Sequence, residues 1–217
     1  MGRKITILGM GQTATERRHD IEQYCKGTEI WSLNNAYLTF PKLREGKLFD
    51  MFFELHSWQY LEKWKAGEDV NHYRQLDKLG CPVYAGQPLP FVEKQVVIDW
   101  KAFAEHWHKR IFHNVAASFD LCTKRLAAFF RGSPSIMFAV ALMEHDQGDR
   151  IEYMQSWGID TRDPSHVCQR ASWSFWVSQA LARGIEIGGT MCNYMFDVEN
   201  DLGLAGLQDY VSNKINL

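Results

Sequence analysis

Lys4-Ile5-Thr6-Ile7-Leu8-Gly9-Met10-Gly11-Gln12-Thr13-Ala14 is the stretch on which the fold turns. A short, mostly apolar strand runs into a G-x-G-x-x-A turn. Thr13 to Cys25 then reads as a helix, with Thr13 or Thr15 as N-cap and Gly27 as its stop. Strand, glycine turn and helix open a βαβ unit. Glycines in such a turn let the backbone approach a phosphate, and the helix N-terminus adds unpaired N–H groups and a positive dipole end. A tight turn without a ligand uses the same residues, but the strand and helix on either side favour ligand binding.

The pattern repeats outward from this stretch. Glu29 to Leu33, Phe49 to Leu55, Val83-Tyr84, Arg150 to Gln155 and Ile185 to Ile187 are further short apolar runs. Between them lie helical stretches from about Trp58 to Leu79, Ser133 to Glu144 and Cys168 to Arg183. Alternation of this kind predicts an α/β fold, a doubly wound, mostly parallel Rossmann-like sheet with helices on both faces. Residues from about 91 to 130 break the alternation and read as a helical insertion in a single domain of 1–217.

The chain has 217 residues, 46% of them hydrophobic and 23% charged, with net charge −2 and mean hydropathy −0.32. These values exclude a globally basic nucleic-acid coat, an acidic disordered tail and a membrane span of about 18 apolar residues. Five cysteines (Cys25, Cys81, Cys122, Cys168, Cys192) are spread along the chain with no CxxC pair. No disulfide framework or cysteine zinc site is expected, and a cytoplasmic setting fits.

In open parallel sheets ligands bind beyond the carboxyl ends of the strands, so the residues after each strand are the candidates. Gly9, Gly11, Gln12 and Thr13 follow the first strand; Asn34 and Asn35 follow the second. A dinucleotide site wants an acidic residue at the second position to hold the ribose. Asparagine there weighs against a dehydrogenase and towards another nucleotide or a nucleotide sugar. Glu54 and His56 alternate at the end of the third strand and share one side, as a general base and its orienting carboxylate would. Asp160 follows Gly158 after the penultimate strand, where it can serve as a base on an acceptor hydroxyl, bind a ribose or a metal, or cap the next helix or the loop backbone. Ser133 and Ser135 flank Pro134 at one helix start, and Arg170 opens another, suited to phosphate.

The segment from Phe91 to Arg131 holds seven basic and four acidic residues, a local +3 against −5 for the remainder. Its rings include Trp100, Phe103 and Trp107, which with Ile111 make a core stripe at helical spacing. His106, His108, Lys109 and Arg110 form the candidate acceptor-binding edge. The two histidines do not share a helical face, so no metal site is expected there.

Several of these short motifs occur in a recognisable order. They are Gly9-x-Gly11-Gln12-Thr13, Trp31-x-Leu33-Asn34, Asp50-x-x-Phe53-Glu54-x-His56, Ser133-x-Ser135-x-Met137, Gly158-Ile159-Asp160 and Gln169-Arg170. The set resembles small phage-encoded Rossmann-like proteins. More distantly it is similar to 6-hydroxymethylpterin pyrophosphokinase-like (MptE-like) proteins and to small bacterial CMP-sialic acid sialyltransferases. Gln12-Thr13 stands where those enzymes have Pro-Ser, and Thr161-Arg162 where the sialyltransferases have tyrosines. The resemblance implies nucleotide binding by the Gly9–Thr13 turn, Asn34 and Ser133–Ser135.

The expectation is therefore a glycosyltransferase-like enzyme using a nucleotide sugar. Its acceptor is a small molecule or, if the protein is phage-encoded, a nucleobase in DNA. The alternatives are an ATP- and magnesium-dependent pyrophosphokinase and a non-catalytic nucleotide-binding protein. No membrane partner is expected, and a homodimer remains open.

Overall fold

Among the described residues, seven short strands line up in one sheet, all parallel: β1 (Arg3–Leu8), β2 (Glu29–Leu33), β3 (Met51–Glu54), β4 (Val83–Ala85), β5 (Gln95–Val97), β6 (Ile151–Trp157) and β7 (Glu186–Gly189). Their order is β5-β4-β3-β2-β1-β6-β7. The structure is a computed structural model, and it describes residues 2–56, 70–112, 124–127, 129–159 and 169–191. The chain builds outward from β1 to β5, then returns to the other side of β1 for β6 and β7. Strand order reverses between β1 and β6, which is the switch point of a doubly wound, Rossmann-like sheet.

Alternation along each strand divides the core in two. Ile5, Ile7, Trp31, Leu33, Phe53 and Met154 face one side. They pack there against α6 (Trp100–Ile111), α7 (Ser133–Asp146) and α8 (Arg170–Leu181), whose Trp107, Met137, Phe138, Trp173 and Trp176 are buried. Leu8, Ile30, Phe52 and Val83 face the other side. That side is covered by α1 (Gln12–Thr15), α2 (Ile21–Tyr24), α3 (Ala36–Thr39), α4 (Pro41–Glu45) and α5 (Val70–Lys78). Right-handed crossovers impose this split, because reversing the winding direction moves the helices to the opposite face.

Two expectations are corrected. The helix read from Thr13 to Cys25 is two four-residue turns, α1 and α2. Between them stands Glu16-Arg17-Arg18-His19-Asp20, which brings no apolar anchor to the sheet. Arg17 folds back to donate to the Thr13 carbonyl at 2.7 Å, and its guanidinium lies over the Tyr24 and Trp157 rings at 5.6 and 5.2 Å. Tertiary packing here overrides local propensity.

The second correction concerns the insertion. Residues from Phe91 onward supply the edge strand β5 and the core helix α6, so they belong to the main sheet up to 112. Gln95-Val96-Val97 is too short and too exposed to show as an apolar run, with Val96 and Val97 both exposed. Asp99 caps α6 by accepting from the Lys101 and Ala102 N–H groups, both at 3.0 Å. Of the stripe on α6, Phe103 and Trp107 are core as expected, and Trp107 meets Trp176 edge-on at 4.6 Å; Ile111 is half-buried, and Trp100, at the helix start, is exposed instead.

Cys25 and Cys81 are buried free thiols. Among the described residues, no helix is long and apolar enough to cross a membrane.

Candidate functional site

The carboxyl ends of β1 and β6 meet at the switch point. Gly9 N donates to the Trp157 carbonyl at 2.8 Å, and Gly11 N donates to the Gly158 carbonyl at 2.9 Å. Gly158 N in turn donates to Thr13 Oγ1 at 2.9 Å. A Cβ on Gly9 would stand 2.2 Å from the Gly158 carbonyl oxygen, and one on Gly158 would stand 2.5 Å from the Gly9 oxygen. Gly158 also has φ +70°, in the left-handed region. The glycine requirement at Gly9 thus comes from the neighbouring turn, and the Thr13 hydroxyl is spent on holding it. Gln12 reaches away, with Nε2 donating to Glu16 Oε1 at 2.6 Å.

Asn34 ends β2 with φ +54°, and its N–H donates to the Phe53 carbonyl at 3.1 Å. Among the described residues its Oδ1 is buried with no hydrogen-bond partner, and Gln87 Nε2, just past β4, is in the same condition. Burying such a group unpaired costs about 1–3 kcal/mol. Asn35 caps α3 without a side-chain bond to it.

Between these two loops lies the end of β3. Glu54 is 1% exposed, yet its carboxylate is well provided with donors. Oε1 accepts from His56 Nδ1 at 2.8 Å and from His56 N at 3.1 Å. Oε2 pairs with His72 Nε2 at 2.8 Å. Burial alone would push this carboxyl up; the hydrogen bonds from His56 and His72 outweigh it and hold the group at about 2. It is a carboxylate at any ordinary pH. Burial, and next the Glu54 charge, push the neighbouring Tyr73 phenol up to about 12. The His56 side chain is 32% exposed, so this pair couples a buried charge to a ring within reach of solvent.

The remaining candidates are placed elsewhere. Ser135 is buried inside the contact between α7 and α8, donating to the Arg131 carbonyl at 3.3 Å and taking a bond from Ser172 Oγ at 2.8 Å. It ties helices together. Ser133 begins α7 behind Gly132, and Arg170 begins α8, both at the carboxyl end of the sheet. Asp160 lies outside the described residues.

His106 and Arg110 do not join the strand-end loops. Asp146, the last residue of α7, gathers Arg110 Nε at 2.9 Å, Arg183 Nε at 3.0 Å and His106 Nε2 at 3.6 Å. That cluster sits before β6 and β7 begin, at the amino end of the sheet. Burial and the Arg110 charge hold His106 below the usual imidazole range, against the pull of Asp146. His108 is buried beside Phe112 with Arg125 at 3.4 Å; Lys109 is exposed. Two open clefts also lie away from the β3 end. One, of about 360 Å³, is lined by Lys4, Glu29 and Asp50; the other, of about 510 Å³, by Arg74, Leu89 and Phe91.

His72 was missed by sequence reasoning. Its signal was its place on the buried face of α5, beside Tyr73 and Leu76.

Compared with protein families, with curated proteins and with solved structures, the chain matches none.

Proposed function

We propose that the protein is a group-transfer enzyme of the glycosyltransferase kind, acting on a nucleotide-linked sugar, with His56 as its general base. The observation that carries this reading is the Glu54 carboxylate, 1% exposed and 2.8 Å from Nδ1 of a ring that solvent reaches. An ionised carboxylate only accepts, so Nδ1 carries the proton and the basic lone pair of neutral His56 is at Nε2. That lone pair takes the proton of an acceptor hydroxyl as its oxygen bonds to the anomeric carbon. The bond from that carbon to the nucleotide phosphate breaks, and its electron pair leaves with the phosphate oxygen. Glu54 stabilises the imidazolium that results.

The β1 end, about 10 Å away at two strand spacings, is where the nucleotide lies in this reading, with Arg170 and the α7 N-terminus near its phosphates. The unpaired Asn34 Oδ1 and Gln87 Nε2 suit a hydroxyl-bearing group, since a hydroxyl both donates and accepts. A nucleobase in DNA is a less supported acceptor than a small molecule, because His106 and Arg110 are engaged with Asp146 at the other end of the sheet.

Thermal-shift measurements with UDP, CMP, GDP, ADP-ribose and ATP, each with and without magnesium, test the reading. Stabilisation by a nucleoside mono- or diphosphate without metal is expected. A response to ATP that requires magnesium would point to pyrophosphoryl transfer instead, and no response to any nucleotide would remove both. Once a donor is known, His56→Ala is expected to lower turnover by roughly 10²–10⁴-fold. Unchanged turnover excludes His56 as the base.

A further inference from the structure

Glu54 is held from both sides, and the second side reaches deep into the protein. His72 Nε2 is 2.8 Å from Glu54 Oε2, and His72 Nδ1 is 2.8 Å from the Tyr37 hydroxyl. Tyr37 also stacks on the His72 ring, with centroids 5.7 Å apart. Tyr37, His72 and Glu54 are all buried.

The direction of each proton in this chain follows from one charge, taken with neutral imidazoles. Since the carboxylate accepts, His72 Nε2 must carry a hydrogen. Nδ1 of neutral His72 is then an acceptor, and the Tyr37 hydroxyl donates to it. On the other side Oε1 accepts from His56 Nδ1–H, which leaves the lone pair of His56 at Nε2.

We propose that His72, polarised by Tyr37, is a positioning residue that fixes the Glu54 carboxylate and, through it, the tautomer of His56. Without a donor from His72, Oε2 is a buried acceptor with nothing to take up. The ionised form is then less favoured and the carboxyl binds a proton more readily; carried at Oε1, that proton is donated to His56 Nδ1. That inverts His56, placing N–H at Nε2 and turning the base at that nitrogen into a donor. Among the described residues, the groups facing Glu54 are His56 on its own strand end and His72 and Tyr73 from α5; Tyr37 from α3 acts through His72. The catalytic consequence rests on the function proposed above; the tautomer itself does not.

Long-range ¹H–¹⁵N spectra of the full chain read the His56 tautomer, and side-chain ¹³C titration reads Glu54. Wild type is expected to show His56 protonated at Nδ1. In His72→Phe that signal is lost and the Glu54 titration moves up. His72→Gln, whose amide can still donate to Oε2, restores both. If His72→Phe does not fold, the smaller His72→Leu carries the test, since it too leaves Glu54 Oε2 without its donor, and the same two readouts apply. Retention of the Nδ1–H form of His56 with an unmoved Glu54 titration, in whichever variant folds, overturns the proposal. With a substrate in hand, His72→Phe lowers kcat with little change in KM, and His72→Gln recovers it. Should the tautomer respond while His56→Ala leaves turnover intact, the functional reading fails and the positioning role stands.

Discussion

At the carboxyl end of β1 backbone is packed against backbone, the Gly9 turn against the Gly158 turn, whereas at the carboxyl end of β3 a carboxylate is packed against two imidazoles. The first junction tolerates no side-chain atom and has its polar groups paired internally. The second contains a buried charge kept ionised by its donors. A glycine motif therefore reports close approach, and what approaches can be the protein itself. A buried carboxylate between two histidines has a weaker structural excuse, since a well-packed apolar trio of the same volume is often no less stable.

Substitutions can break this contrast. Gly158→Ala has the largest expected effect, a loss of roughly 3 kcal/mol or more, because it strains a left-handed backbone and drives a Cβ into the Gly9 carbonyl. Gly184→Ala is its control. It shares a positive φ (+73°) but meets nothing within 4 Å, so about 1 kcal/mol is expected from chemical denaturation. Equal losses for the two would mean that conformation alone, and not the fused turns, dictates glycine.

Glu54→Gln comes next, at about 2–3 kcal/mol at neutral pH. The folded carboxyl lies below its ordinary value of 4.5, at about 2, so its contribution is fully present above 4.5 and is lost as pH falls towards 2. Denaturation curves of wild type and variant should therefore converge over that window. Curves that stay parallel would mean the carboxylate is not the source of the difference.

Asp146→Asn should cost about 1–2 kcal/mol, since it strips a partly buried cluster of the charge that Arg183 and Arg110 share. Ligand-induced shifts in melting temperature should be untouched, because that cluster lies at the other end of the sheet. Ser135→Ala is the smallest effect, about 1 kcal/mol, again with nucleotide response preserved. A tenfold weaker nucleotide affinity in that variant would return Ser135 to the binding site.

Six of the seven strands are legible in the sequence because each is an apolar run closed by glycine, asparagine or histidine. β5 is not, since an edge strand buries little and Gln95-Val96-Val97 carries no alternation that three residues can display. The break between α1 and α2 is equally hidden: it depends on Arg17 finding Trp157, about 140 residues away in the chain. Glu54 and His56 are readable as a pair because two residues of one strand end share a side. His72 belongs to a helix that crosses β3 only in three dimensions. The partner of Gly9 is likewise set by strand order, which no single turn encodes.

The position of β1 has a consequence in time. It is made before the other six described strands, it sits fifth in the sheet, and one of its two neighbours is β6, whose last residue is Trp157. At roughly 5–20 residues per second of synthesis, the β6 edge of β1 stays open for about 7–30 s while the rest of the chain emerges. During that interval Ile5 and Ile7 lack the cover of α7 and α8, and the turn at Gly9 lacks Gly158. A chain in synthesis thus carries β1 uncapped on one side until β6 has emerged, an open strand edge available to wrong pairings in the meantime.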